Sequence, residues 1–222
     1  MFQIKRLSKD ILNTILRFPL PILAGVLAFV FIVLEMHVAD IDSIERKNYI
    51  YIKLFLECFS AISYFTAVDI FSESKKVEWS KRIGLYILGF CILGLHYYSI
   101  TPGMFDSESV FISRYLIFIT CFHLLVSFLA FYHHDEIQSF WQFNYFLFVK
   151  FIVSISYSLT LFIGLSSALL AIDKLFKVDL DYNYYVDLLL FIFLINTVCR
   201  AGTQPFWQCV DVCNALKNSP FL

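Results

Sequence analysis

The chain has 222 residues, of which 59% are hydrophobic, 19% aromatic and only 16% charged, with a net charge of −1; its mean hydropathy is +0.74. A soluble domain carries about 25% charged and about 45–50% apolar residues, and it still exposes much of its surface to water, so this excess disfavours a soluble globular enzyme, a disordered chain and a collagen-like repeat. Without a positive charge excess there is no field to draw the chain onto phosphate, so nucleic acid is not an expected partner.

In chain order, residues 1–18 come first. Ile4, Leu7, Ile11 and Ile15 recur at helical spacing with Lys5, Lys9 and Asp10 between them, which predicts an amphipathic helix lying on a membrane surface. Pro19 and Pro21 interrupt it. A signal peptide is the poorer reading, because the apolar run that follows is long, starts late and ends in Glu35-Met36-His37 without a small-residue cleavage site.

A bilayer core of about 30 Å takes roughly 20 apolar helical residues to cross. Such stretches are predicted at Leu20–Val38, Tyr49–Ile70, Ile83–Ile100, Val110–Tyr132, Tyr145–Ile172 and Tyr184–Val198. The last is short enough for a tilted span or a re-entrant segment. Only helices and closed barrels satisfy every backbone group in lipid, and these runs are too long and continuous for barrel strands. The expected fold is therefore all-α: an integral membrane helical bundle of about six transmembrane helices over residues 19–198. The interfacial helix 1–18 precedes it, and a cytoplasmic tail, 199–222, follows. Tyr49, Tyr51, Tyr97, Tyr98, Tyr182, Tyr184 and Tyr185 lie near the expected span ends, where amphipathic rings sit.

Lys and Arg set the expected orientation. Lys5, Arg6, Lys9, Arg17, Lys75, Lys76, Lys81, Arg82, Arg200 and Lys217 share one side, against Arg46, Lys47, Lys174 and Lys177 on the other. Both termini are expected in the cytoplasm.

The stretch Phe140-Trp141-Gln142-Phe143-Asn144, followed by Phe146–Phe151, Gly164 and Ala168–Val178, resembles DUF4153, a family of bacterial polytopic membrane proteins of unknown function. Leu16–Pro21 and Glu78–Arg82 also resemble that family's entry to its first span and its loop before the third. The resemblance implies a bacterial inner (plasma) membrane location and a helical bundle, and it implies no activity. It stops at Asn196-Thr197, so residues from about 198 are expected to be a divergent tail on a truncated or frameshifted product.

Ionisable groups inside spans are costly and often functional. Glu57 is the leading candidate: a proton- or cation-handling carboxylate, or one half of an i,i+4 pair with Lys53 near the outer interface. His123 and His96 are weighed as relay or packing residues. Gln142, Asn144 and Lys150 are read as a polar cluster at the start of the fifth span, and Asp173 closes that span. His133-His134-Asp135-Glu136 has the composition of a metal cluster, but adjacent helical residues do not share a face. Cys209 and Cys213 lack the second pair that zinc wants. All six cysteines are read as free thiols. No metal site, no cofactor and no catalytic set is assigned.

Gly84, Gly89 and Gly94 recur every five residues, which does not build the every-fourth-residue packing stripe. Ser156, Thr160, Gly164 and Ala168 do build it, for an internal contact or for self-association or other membrane partners. The lipid bilayer is an expected partner. The expected function is a structural, interaction or anchoring module. The alternatives are a secondary transporter or channel-like protein, and then a membrane-embedded enzyme.

Overall fold

The computed structural model describes residues 17–38, 49–100, 108–129, 137–178 and 180–201. Among them the chain forms six helices and no strand: α1 (Pro19–Val38), α2 (Ile50–Ser74), α3 (Trp79–Ser99), α4 (Glu108–Leu129), α5 (Ile137–Phe176) and α6 (Tyr182–Ala201). The fold is all-α, as the apolar runs require. The expected interfacial helix and the tail lie almost wholly outside the described residues, as does the His133–Glu136 cluster.

Among the described residues four stretches are long and apolar enough to cross a membrane: Pro19–His37, Ile50–Ser74, Val110–Leu129 and Phe140–Phe176. These mark the chain as a helical membrane protein. The expected third and sixth spans form helices but are less apolar. In α3 the charged start at Lys81-Arg82 and the polar end at His96–Ser99 leave an uninterrupted apolar run of only about 13 residues, roughly 20 Å at 1.5 Å per residue. The described apolar part of α6 is Tyr182–Phe193. The fifth span is longer than expected. Its helix has 40 residues, roughly 60 Å, or twice a hydrocarbon core. The stretch between Lys150 and Asp173 spans about 35 Å and matches that core.

The helices fall into two compact units, one holding α1–α4 and the other α5 and α6. In the first, α2 is central, and α1, α3 and α4 each pack against it. Its core joins Ala24 of α1, Ala61, Tyr64, Phe65 and Val68 of α2, Leu93 of α3 and Phe122 of α4. On α1 the buried positions are Pro21, Ala24, Gly25 and Ala28. These small residues let its backbone approach α2 closely. The Tyr64 ring packs edge-on against Phe65 and Phe122, and its hydroxyl donates to the Leu85 carbonyl at 3.0 Å. Outward-facing side chains such as Ile87 and Leu95 are apolar and exposed.

α2 ends in a Schellman turn. Val77 N–H donates to the Ser72 carbonyl (2.9 Å) and Lys76 N–H to the Glu73 carbonyl (3.3 Å). Lys76 takes the left-handed conformation, with φ 49°. In the second unit α5 and α6 pack together. The less exposed positions of α5, among them Ser154, Ser158, Phe162, Ser166 and Leu169, lie on one face. Ser156, Thr160, Gly164 and Ala168 are exposed on the opposite face.

The three glycines of α3 differ in their surroundings. A Cβ at Gly89 would overlap the Tyr64 ring, whereas at Gly84 or Gly94 it would meet nothing within 4 Å. Tyr64 is pinned by its hydrogen bond and its aromatic neighbours, so it cannot yield cheaply. Gly89→Ala is expected to destabilise the fold by about 1–3 kcal/mol. Gly84→Ala and Gly94→Ala should be neutral or stabilising by up to about 1 kcal/mol, because glycine is a poor helix former. Thermal unfolding of the three variants in detergent checks this.

Candidate functional site: two carboxylates on the central helix

Helix α2 is enclosed by three neighbours, so the polar residues it carries are buried with it. Lys53, Glu57, Ser60, Ser63, Asp69 and Ser72 are all buried. Glu57 and Asp69 stand about 18 Å apart along the axis. Each finds its partner on α3, which runs back antiparallel against α2.

Glu57 Oε1 lies 2.5 Å from His96 Nδ1. Either a neutral carboxyl donates its proton to Nδ1, or the ring N–H donates to the carboxylate. In both cases one hydrogen lies between Oε1 and Nδ1. The His96 ring stacks on Phe118 of α4, with centroids 3.7 Å apart and planes 4° from parallel, so its plane and its nitrogen are held in place. Tyr115, one turn before Phe118, donates its hydroxyl to the Leu56 carbonyl at 3.2 Å and accepts from Ser60 Oγ at 3.4 Å. Glu57 Oε2 is buried and has no hydrogen-bond partner among the described residues. Such a group costs about 1–3 kcal/mol, and more if charged.

Asp69 is fully buried. Its Oδ1 accepts from Arg82 Nη2 at 2.8 Å and from the Tyr86 hydroxyl. Arg82 Nε also donates to Tyr86 Oη at 2.5 Å. The guanidinium lies 5.7 Å from the Trp79 ring centroid and 5.5 Å from that of Tyr86, within cation–π range. Arginine stays protonated in proteins, so the arginine side of this pair keeps its charge. A histidine side chain, unlike an arginine, exists neutral or protonated. Of the two carboxylates, Glu57 is the one whose partner can change charge.

The remaining candidates do not join this site. Lys53 is buried one turn before Glu57, but the expected pair with it does not form; Glu57 reaches across to α3 instead. His123 Nδ1–H donates to the Ile119 carbonyl of its own helix at 2.9 Å, and Ser63 Oγ is 3.5 Å away. Gln142, Asn144 and Lys150 do not share a helix face, because Gln142 and Asn144 are about 200° apart around α5. Asn144 Nδ2 donates to the Phe140 carbonyl at 3.0 Å, and Lys150 is exposed. Asp173 closes the α5–α6 turn: its Oδ1 accepts from Leu180 N–H at 3.0 Å and its Oδ2 pairs with Lys174 at 3.2 Å. Among the described residues no three His, Cys, Asp or Glu side chains come together as metal ligands; Cys58, Cys91 and Cys121 are free thiols.

Sequence reasoning weighed His96 but did not pair it with Glu57, and it passed over Asp69, Arg82, Tyr86 and Tyr115. Each pair spans two helices with no fixed spacing to reveal it. The available signal was the coincidence of acidic residues inside one apolar run and basic ones at the two ends of the next. No family model, no curated protein and no solved structure matches the chain.

Removing one partner of a buried ion pair costs about 3–5 kcal/mol, whereas replacing both by apolar residues is often neutral. Arg82→Met is therefore expected to destabilise the protein by that amount. The double variant Asp69→Leu/Arg82→Met should recover most of the loss in the same unfolding assay.

Proposed function

We propose that the chain is a secondary transporter or channel-like membrane protein in which the Glu57–His96 pair takes up and releases a proton or a small cation. The observation that carries this reading is the state of Glu57: buried in a helix apolar enough to cross a membrane, shared through Oε1 with a titratable histidine, and unpartnered at Oε2. Asp69 Oδ2 is likewise buried without a hydrogen-bond partner among the described residues, so it is the histidine at Oε1 that sets Glu57 apart. A carboxylate at a helix centre in the bilayer disfavours insertion by roughly 2.5–3.5 kcal/mol. The Lys and Arg bias supports a topology with both termini in the cytoplasm. Glu57 then lies in the outer half of the membrane and Asp69–Arg82 toward the cytoplasm. The resemblance to DUF4153 supports a bacterial inner membrane.

Reconstituted into vesicles under an imposed pH gradient, the wild-type chain is expected to speed relaxation of the gradient. Glu57→Gln should remove that acceleration, and His96→Gln should weaken it. Equal rates in wild type and Glu57→Gln would defeat the reading.

One observation favours a second reading, an interaction module: the stripe Ser156, Thr160, Gly164, Ala168 is exposed, and a Cβ at Gly164 would meet nothing within 4 Å. Small residues at this spacing let another helix approach closely. A Thr160→Cys variant in native membranes should crosslink to a second copy or another helix, and monomeric product alone would count against this reading.

A further inference from the structure

Beside Glu57, a groove of about 300 Å³ opens between α1, α2 and α3. Leu23 and Leu27 of α1 form one wall and Phe90 and Gly94 of α3 the other, and Glu57 of α2 lines it too. The volume is that of a site for a small organic molecule. Glu57 is 8% exposed, and its Oε2 has no hydrogen-bond partner. We propose that this groove binds a small hydrophobic organic cation, its charged nitrogen against the Glu57 carboxylate and its apolar body between α1 and α3, in exchange for the proton carried by the protonated form of the Glu57–His96 pair, a neutral carboxyl or an imidazolium. The exchange rests on the proton-handling reading of Glu57.

The chemistry of the walls selects this ligand class. An anion would meet a carboxylate with no cation lining the groove. A hydrated metal ion would have to shed water for one carboxylate, where hard cations want several oxygens. A neutral polar molecule would find too few hydrogen-bonding groups. An organic ammonium is weakly hydrated, its body is covered by the apolar walls, and the ring of Phe90 offers a cation a π face. The titratable groups near Glu57 are Lys53 and Cys58 on α2, His96 and Tyr97 on α3 and Tyr115 on α4; α1 contributes only apolar residues to the groove. Lys53 neither lines the groove nor pairs with Glu57. When the cation binds the protonated pair, the carboxyl O–H bond or one imidazolium N–H bond breaks, water takes the proton, and the carboxylate is left facing the cation.

The test uses the full chain in nanodiscs of zwitterionic lipid, with benzyltrimethylammonium as probe. Wild type should bind it saturably and release about one proton per cation into weakly buffered solution. Glu57→Gln should weaken binding at least tenfold and release none. Gly94→Leu should weaken binding similarly with the carboxyl intact, because a side chain there enters open space rather than the core. The proposal is overturned if both variants bind as wild type does, or if the neutral carbon isostere competes as well as the cation, which would make the groove a seat for lipid chains. Glu57-dependent binding without proton release would overturn the exchange. A vesicle proton flux that needs Glu57, with no saturable cation binding, would leave the proton reading standing and remove this one.

Discussion

A carboxylate enclosed in an apolar bundle must hold a proton, find a cation or stay unpaired at high cost, and helix α2 carries two such groups. Everything else in the first unit is arranged around that constraint. α1, α3 and α4 each pack against α2, and both of its acids are buried among them. Helix α3 supplies both partners, and the antiparallel pairing brings Arg82 to Asp69 and His96 to Glu57 in one register.

The cost of supplying those partners explains why α3 is the least membrane-like of the first four helices. Its ends are spent on Lys81-Arg82 and on His96 with its polar neighbours, and its middle on Gly89, which admits the Tyr64 ring. α1 bears no such burden. It approaches α2 through Pro21, Ala24, Gly25 and Ala28, and α4 contributes the ring that fixes the His96 plane. The two carboxylates consequently differ in kind. Arginine gives Asp69 a partner of fixed charge that ties α3 to α2, while histidine gives Glu57 a partner that exists neutral or protonated. One site is suited to structure and the other to chemistry.

Much of this architecture is legible in the chain. Apolar runs bounded by charges or prolines locate every helix to within a few residues at most ends. The exception is α5, whose aromatic lead-in Ile137–Asn144 continues the helix well before Tyr145. Glu57 stands out because an acid in such a run is costly anywhere in lipid. Its partner does not stand out: Lys53 lies one turn away and satisfies every local rule, yet the cross-helix distance to His96 is the one realised. The cluster inferred from Gln142, Asn144 and Lys150 fails for the opposite reason, since closeness along a helix does not put residues on one face.

The sequence by itself determined the solvent, the helical class and the presence of a costly acid in the second span, because hydropathy and the need to satisfy backbone groups in lipid act residue by residue. Only the tertiary structure decided which side chain shares that acid's proton, which oxygen stays unpartnered beside a groove, and which small residues meet another helix. These depend on how helices rotate and pair, and the spacing of residues along one helix does not encode it.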